Sequence, residues 1–427
     1  MSMVALSGLG GLPRADRWQA ADAADAASPP AVAPGTEAAQ SPQYAEKPID
    51  PEYKKRPPFQ LRRDVAKIIT SNPANFGSDA DKNTIDNYYK SYALPRWTQL
   101  DYAAPRFAPR SERFTLLNFR RELRRELGAA RGGIHDYLSA MVLQFMSELI
   151  DGNYHPFAQV NAALMIGELN EEGQSKPYAK ALPVLIRIVA DTKHRDAVRA
   201  AAMAGILRHA EAGINDDAAR NTLTTAMLKL LASGVSPALT APGQVWIRGQ
   251  AIETLGWLGS PGENGEVFKA LLANLGEADL SLLVGRELSL TTRCLAAKAL
   301  GRLNYNVAKG INAADAANAL GQLIVQVCDD ALRASKGKGD LALVRRSLSA
   351  RLGSILLAVQ GREKDDAHKG ILSVAEGPQK DSLGQLQGFL LDIFDVLNSK
   401  ESQAADVEAA AARLRDNVSD WLQKQAG

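Results

Sequence analysis

Apolar residues recur with helical spacing through most of the chain. Leu138, Met141, Val142, Phe145, Met146 and Leu149 stand at i, i+3, i+4, i+7, i+8 and i+11, a complete stripe on one helix face. Asp151-Gly152 closes that helix, and a second begins near Pro156 with Val160, Ala163, Leu164 and Gly167 on its stripe. The same two-helix pattern returns four times. Leu182, Leu185, Ile186 and Val189 precede Val198, Ala201, Ala202, Gly205 and Ile206. A helix through Leu223, Leu230 and Leu231 precedes one through Ile247, Ala251, Leu255 and Leu258. "EVFKALLANL" precedes Leu295, Ala296, Ala299, Leu300 and Leu303. A weaker fifth pair joins "AANALGQLIVQVCDDAL" to "RRSLSARLGSILLAV".

The second helices start alike, at Val160-Asn161, Val198-Arg199, Ile247-Arg248, Thr292-Arg293 and Val344-Arg345, separated by 38, 49, 45 and 52 residues. Self-similarity at that period predicts stacked helix pairs, because one pair cannot cover its own apolar stripe and its neighbour must. Several second helices also end alike, as in "NAALMIGEL", "ETLGWLG" and "AAKALGRL". Glycine inside a helix costs roughly 0.5–1 kcal/mol relative to alanine. Gly256 and Gly301 are tolerable if the missing side chain lets neighbouring helices approach closely.

An apolar-Arg-x-x-Ala start, a Leu-Gly-x-Leu ending and an Asp-terminated first helix together resemble the HEAT-repeat family over about residues 134–361. The pairs containing Arg199, Arg248 and Arg293 match best; the first pair has Asn161 where arginine is usual, and the second has Ile206-Leu207 where Leu-Gly is expected. The resemblance implies an all-α fold: a right-handed α-solenoid of about five HEAT-like helix pairs, with helical N- and C-terminal extensions and a disordered N-terminal leader. It also implies a protein-interaction scaffold more readily than catalysis.

Outside the repeats the pattern changes. Residues 1–60 are rich in Ala, Pro, Asp and Ser and are expected to form a disordered leader. Within them "MVALSGLGGL" and Ala21-Asp22-Ala23 have the look of a secretory signal and its cleavage site. No Lys or Arg precedes the apolar run, and Arg14 and Asp16 follow it, so cytoplasmic and exported destinations both stay open. Residues 61–131 read as a Tyr/Arg/Pro-rich shoulder with short helices, residues 132–361 as the repeats and residues 362–427 as capping helices. The charged helix "NFRRELRRELGAA" is expected to cap the other end.

Aromatic residues make up only 6% of the chain while hydrophobic residues make up 46%, so alanine and leucine build the core, a composition that favours helix. The overall charge of +2 excludes a global polycation. Its distribution is uneven: residues 51–131 carry 17 Lys/Arg against 9 Asp/Glu, and residues 132–427 carry a net −3. The basic arm is interleaved with Tyr89, Tyr92, Trp97, Tyr102 and Phe107, which suits either single-stranded nucleic acid or docking on the repeats; Arg96, Arg106 and Arg110 are its test residues. No stretch is long and apolar enough for a transmembrane helix.

No catalytic, cofactor or metal signature is present. The five histidines fall outside metal-ligand spacings, and His209, in register with Val198 to Ile206, reads as a core histidine. Cys294 and Cys328 read as small buried hydrophobes. Arg199, Arg248 and Arg293 form either a cationic ladder or, as the simpler expectation, ion pairs with turn acids such as Asp151 and Asp191. Trp246 and Trp257 are exposed anchors or, by default, buried between layers. The links within pairs lengthen along the chain, and the link near residues 276–290 contains apolar "LSLLVGREL". Arg248, Arg293, Trp246, Leu282, Leu283 and Arg286 are therefore the expected partner-binding residues.

Overall fold

The computed structural model describes residues 43–55, 58–71, 76, 78–103, 115–233, 241–276, 286–307, 310–336, 341–362 and 369–426. The signal-like start and the part of the expected disordered leader up to residue 42 lie outside these residues. The described part is all-α. Its helices are α1 Pro51–Lys55, α2 Pro58–Ser71, α3 Asp79–Tyr88, α4 Leu100–Ala103, α5 Leu116–Ala129, α6 Gly132–Asp151, α7 Pro156–Glu168, α8 Ala181–Ala190 and α9 Asp196–Ala212. They continue with α10 Asp217–Ala232, α11 Ala241–Leu258, α12 Glu266–Ala273, α13 Arg286–Leu300, α14 Ala313–Lys336, α15 Leu341–Gln360, α16 Gly377–Asn398 and α17 Ala404–Ala426. Among the described residues the only β pairing is one isolated bridge, Asn170 with Pro177. No described helix is long and apolar enough to cross a membrane.

Local chemistry sets several boundaries. Thr115 and Asp216 cap α5 and α10 by accepting from Asn118 N and Ala218 N, which satisfies amides that have no partner within the helix. Pro156 opens α7, where its missing N–H costs nothing. Gly132 opens α6 at φ 55°, a left-handed conformation that side chains disfavour.

The pairs seen in the sequence are pairs in space: α6 packs on α7, α8 on α9, α10 on α11, α12 on α13 and α14 on α15. The second helices also pack serially, α7 on α9, α9 on α11, α11 on α13 and α13 on α15. Glycines mark these contacts. A Cβ on Gly167 would lie 2.8 Å from the Gly205 Cα, and one on Gly256 would lie 2.8 Å from the Ala299 Cα and Cβ. Gly205 thus takes the packing role immediately before Ile206-Leu207, where the Leu-Gly ending is missing. Gly301 stands against the Leu357 carbonyl. At the C-terminal end α17 packs on α14, and α16 packs on α14, α15 and α17; Gly321 makes room for Trp421.

These contacts give opposite expectations for two glycines. A methyl on Gly301 collides with the backbone of Leu357, which has no flexible end to yield, so Gly301→Ala is expected to destabilise by about 1–3 kcal/mol. Gly384 lies inside α16 with no atom within 4 Å of an added Cβ, so Gly384→Ala is expected to stabilise by roughly 0.5–1 kcal/mol. Urea midpoints that move the same way in both variants would refute this packing account.

The shoulder is part of the folded body. Ile85, Tyr88, Tyr89, Tyr92, Leu94, Trp97, Phe119 and Leu123 are buried together. Residues 44–50 of the expected leader also make defined contacts. Ala45 N donates to Asn153 O at 2.8 Å, Lys47 pairs with Glu148 at 2.8 Å, and the Tyr44 ring meets His155 edge-on at 5.1 Å.

Candidate interaction surface

The arginines that open the second helices do not form a free cationic ladder. Arg199 and Arg293 are buried, at 6% and 3% exposure. Arg199 Nε donates to Val189 O at 2.9 Å and Arg293 Nε donates to Leu275 O at 2.6 Å, so each holds a carbonyl at or just past the end of the preceding helix. Arg248 is half-buried, and its Nε donates to Asn274 Oδ1 at 2.8 Å. Burial lowers the pKa of Arg199 and Arg248. Arg293 also donates to Gln326 Oε1, and Arg345 Nε donates to Leu397 O at 2.6 Å.

The hydrogen bonds of Arg199, Arg248 and Arg345 go to carbonyls and a side-chain amide near helix C-termini, where a cation meets the negative end of the helix dipole, and the expected acids act on Arg199 through the field of Asp196 and Asp191. Asp151 instead pairs with Arg187 at 2.9 Å and lies 3.4 Å from His194. Asn161, in the arginine position of the first pair, accepts from Arg120 at 3.1 Å, so α5 supplies the cation that α7 lacks.

Trp246 is 39% exposed, which departs from the default of burial between layers. Leu343 is 63% exposed. Trp246 immediately precedes Ile247-Arg248, and Leu343 immediately precedes Val344-Arg345. The two apolar side chains therefore occupy one repeat position, in α11 and α15. Trp257 is half-buried, with the Arg302 guanidinium 4.0 Å from its ring centroid, a cation–π contact. Leu282 and Leu283 lie outside the described residues; Arg286 opens α13.

The basic arm offers little to a nucleic acid at its central residues. Arg96 is 6% exposed, and its guanidinium lies 4.5 Å from the Tyr92 ring and 4.3 Å from the Phe119 ring. Tyr89, Tyr92 and Trp97 are core residues, so their faces are not available to stack on bases. Arg106, Phe107 and Arg110 lie outside the described residues.

His209 is buried, as its register predicts, and burial together with Arg208 lowers its pKa to about 4. Cys294 and Cys328 are buried free thiols, each pushed up to about 12 by burial, which leaves them inert as nucleophiles. Among the described residues no three His, Cys, Asp or Glu side chains are grouped to hold a metal ion. No family model matches the chain, and no curated protein matches it.

Proposed function

We propose that the chain is an α-solenoid of about five HEAT-like pairs that presents an extended surface to a protein partner. The carrying observation is the repeated exposure of a large apolar side chain at one register, Trp246 in α11 and Leu343 in α15. Buried arginines and close glycine contacts consume the interior of the pairs, while this position is left toward solvent. Tryptophan at such a site is the residue type most often found to dominate a protein interface. The burial of Arg96, Tyr89, Tyr92 and Trp97 favours a protein partner over nucleic acid on the basic arm.

The test is crosslinking and affinity purification of the full chain from its native cell, in parallel with a Trp246→Ala/Leu343→Ser variant. Both side chains are exposed, so the helical circular dichroism is expected to be unchanged. A protein retained at high salt by the parent chain is expected to bind the variant at least ~30-fold more weakly, the loss typical of a central aromatic anchor. An identical set of captured proteins with identical affinity would sink the assignment of this surface.

A further inference from the structure

A cleft of about 500 Å³ lies beside the first pair, between the C-terminal half of α5, the start of α6 and the loop after α7. Arg121, Arg124, Arg125 and Arg131 line it, and all four are exposed. Like charges at i and i+4, as in Arg121 and Arg125, oppose helix formation, so their clustering within "RRELRR" is not explained by the helix itself. The acids interleaved with them are committed elsewhere. Glu122 accepts from Arg62 at 2.9 Å, and Glu126 accepts from the Tyr89 hydroxyl at 2.7 Å. Glu168, on the far wall, is shared between Arg120 at 3.3 Å and Arg124 at 3.5 Å. Glu171 is held by its own loop, accepting from Ala179 N at 2.8 Å. Among the described residues, ion pairs in this region are made by Arg62, Arg120 and Arg124, and not by Arg121 or Arg125.

Two further features adjoin the same space, between the lining residues Arg131 and His135. The twenty-residue helix α6 begins here with no side-chain cap, and Gly132 and Gly133 leave its first turn uncovered. The positive end of such a helix attracts anions, and its first amides have no partner within the helix. One turn in, His135 lines the cleft at 3% exposure, and its Nδ1 has no hydrogen-bond partner. Asp136 Oδ1 lies 3.5 Å from it, on a side chain that is 70% exposed. A buried polar nitrogen without a partner is uncommon in a folded chain. The far wall is firmly held: Arg208 donates to Gly167 O at 2.8 Å and Ser175 O at 2.9 Å, and Tyr178 N donates to Leu169 O at 3.0 Å.

We propose that this cleft binds the phosphate group of a small organic phosphate or pyrophosphate. Forked guanidiniums and helix-start amides together suit a tetrahedral oxyanion, with His135 contributing a ring nitrogen from below. The volume suits a ligand larger than a single ion. A nucleic-acid strand fits less well, because no Phe, Tyr or Trp lines the cleft and the His135 ring is buried, which leaves no open ring face to stack a base. This inference is independent of the protein-partner reading.

Isothermal titration of the full chain with inorganic pyrophosphate tests it. The expected result is one saturable site per chain, tighter for pyrophosphate than for orthophosphate. Arg121→Gln/Arg125→Gln is expected to weaken it by roughly tenfold or more, since charge-assisted contacts are the strong ones, while Arg413→Gln, at an exposed position of α17, leaves it unchanged. Glutamine keeps the helix propensity of arginine, so the double variant is expected to remain folded. In a second readout, pyrophosphate slows hydrogen exchange at the amides of residues 132–134. Absence of saturable binding, or binding indifferent to the double variant, overturns the proposal. So does a single-stranded oligothymidylate that binds through Arg121 and Arg125 and is not displaced by pyrophosphate.

Discussion

Glu126→Ala is expected to destabilise the protein by about 3–5 kcal/mol, the range for removing one partner from a buried charged network. Glu126 sits in α5 facing the shoulder, with its side chain 13% exposed. It accepts from the hydroxyl of fully buried Tyr89 at 2.7 Å and lies 3.4 Å from the Arg62 guanidinium. Burial holds its carboxyl above the ordinary range, against the opposing pull of the Tyr89 hydrogen bond and of Arg62 and Arg96. Alanine leaves the Tyr89 hydroxyl unpaired and removes a counter-charge from Arg62 and from Arg96, which is itself enclosed by Tyr92 and Phe119. Glu126→Gln keeps an acceptor for Tyr89 and is expected to lose roughly half as much. Equal urea midpoints for the parent and Glu126→Ala would contradict a stabilising network at this position.

The second large effect is a loss of stability in mild acid. His209 has a folded pKa of about 4, below its ordinary value of 6.5. The unfolded chain therefore binds a proton that the folded chain refuses. His209's contribution is fully present above pH 6.5 and is lost as pH falls toward 4. The whole contribution is about 3 kcal/mol, and roughly 2 kcal/mol of it is gone by pH 5. His209→Met, of similar bulk and with no titrating group, isolates it from the other acid-labile groups. The difference in unfolding free energy between parent and variant is expected to shift by roughly 2 kcal/mol between pH 7 and pH 5, the parent becoming relatively weaker at pH 5. Parallel pH profiles would assign the acid response to other groups.

Much of this arrangement was legible in the sequence because helix pairs are local. The stripes of α6 to α15 are periodic within single helices, and the Leu-Gly endings mark contacts such as Gly256 against Ala299. What was not legible depends on distant partners. Tyr89 finds Glu126 across 37 residues, Arg62 finds Glu122 across 60, and Lys47 N finds Thr98 across 51. An aperiodic stretch of Tyr, Arg and Pro therefore read as an arm when its aromatics form a core. The hydrogen-bond acceptors of the arginines were not legible for a related reason. A carbonyl at a helix end carries no letter of its own, whereas an Asp does. The phosphate cleft had a signal in "RRELRR", where acids are outnumbered, but only the fold shows that Glu122 and Glu126 turn away from it.

The arginine contacts have a mechanical side. Greasy stripes slide past one another at small cost, because dispersion has no direction. A guanidinium bonded to a fixed oxygen does not slide. Arg248 reaches from α11 to the residue after α12, Arg293 from α13 to α14, and Arg345 from α15 to the end of α16. Displacing one of these layers therefore has to break or bend a directional bond to the next, which opposes shear in a way that apolar contact alone does not.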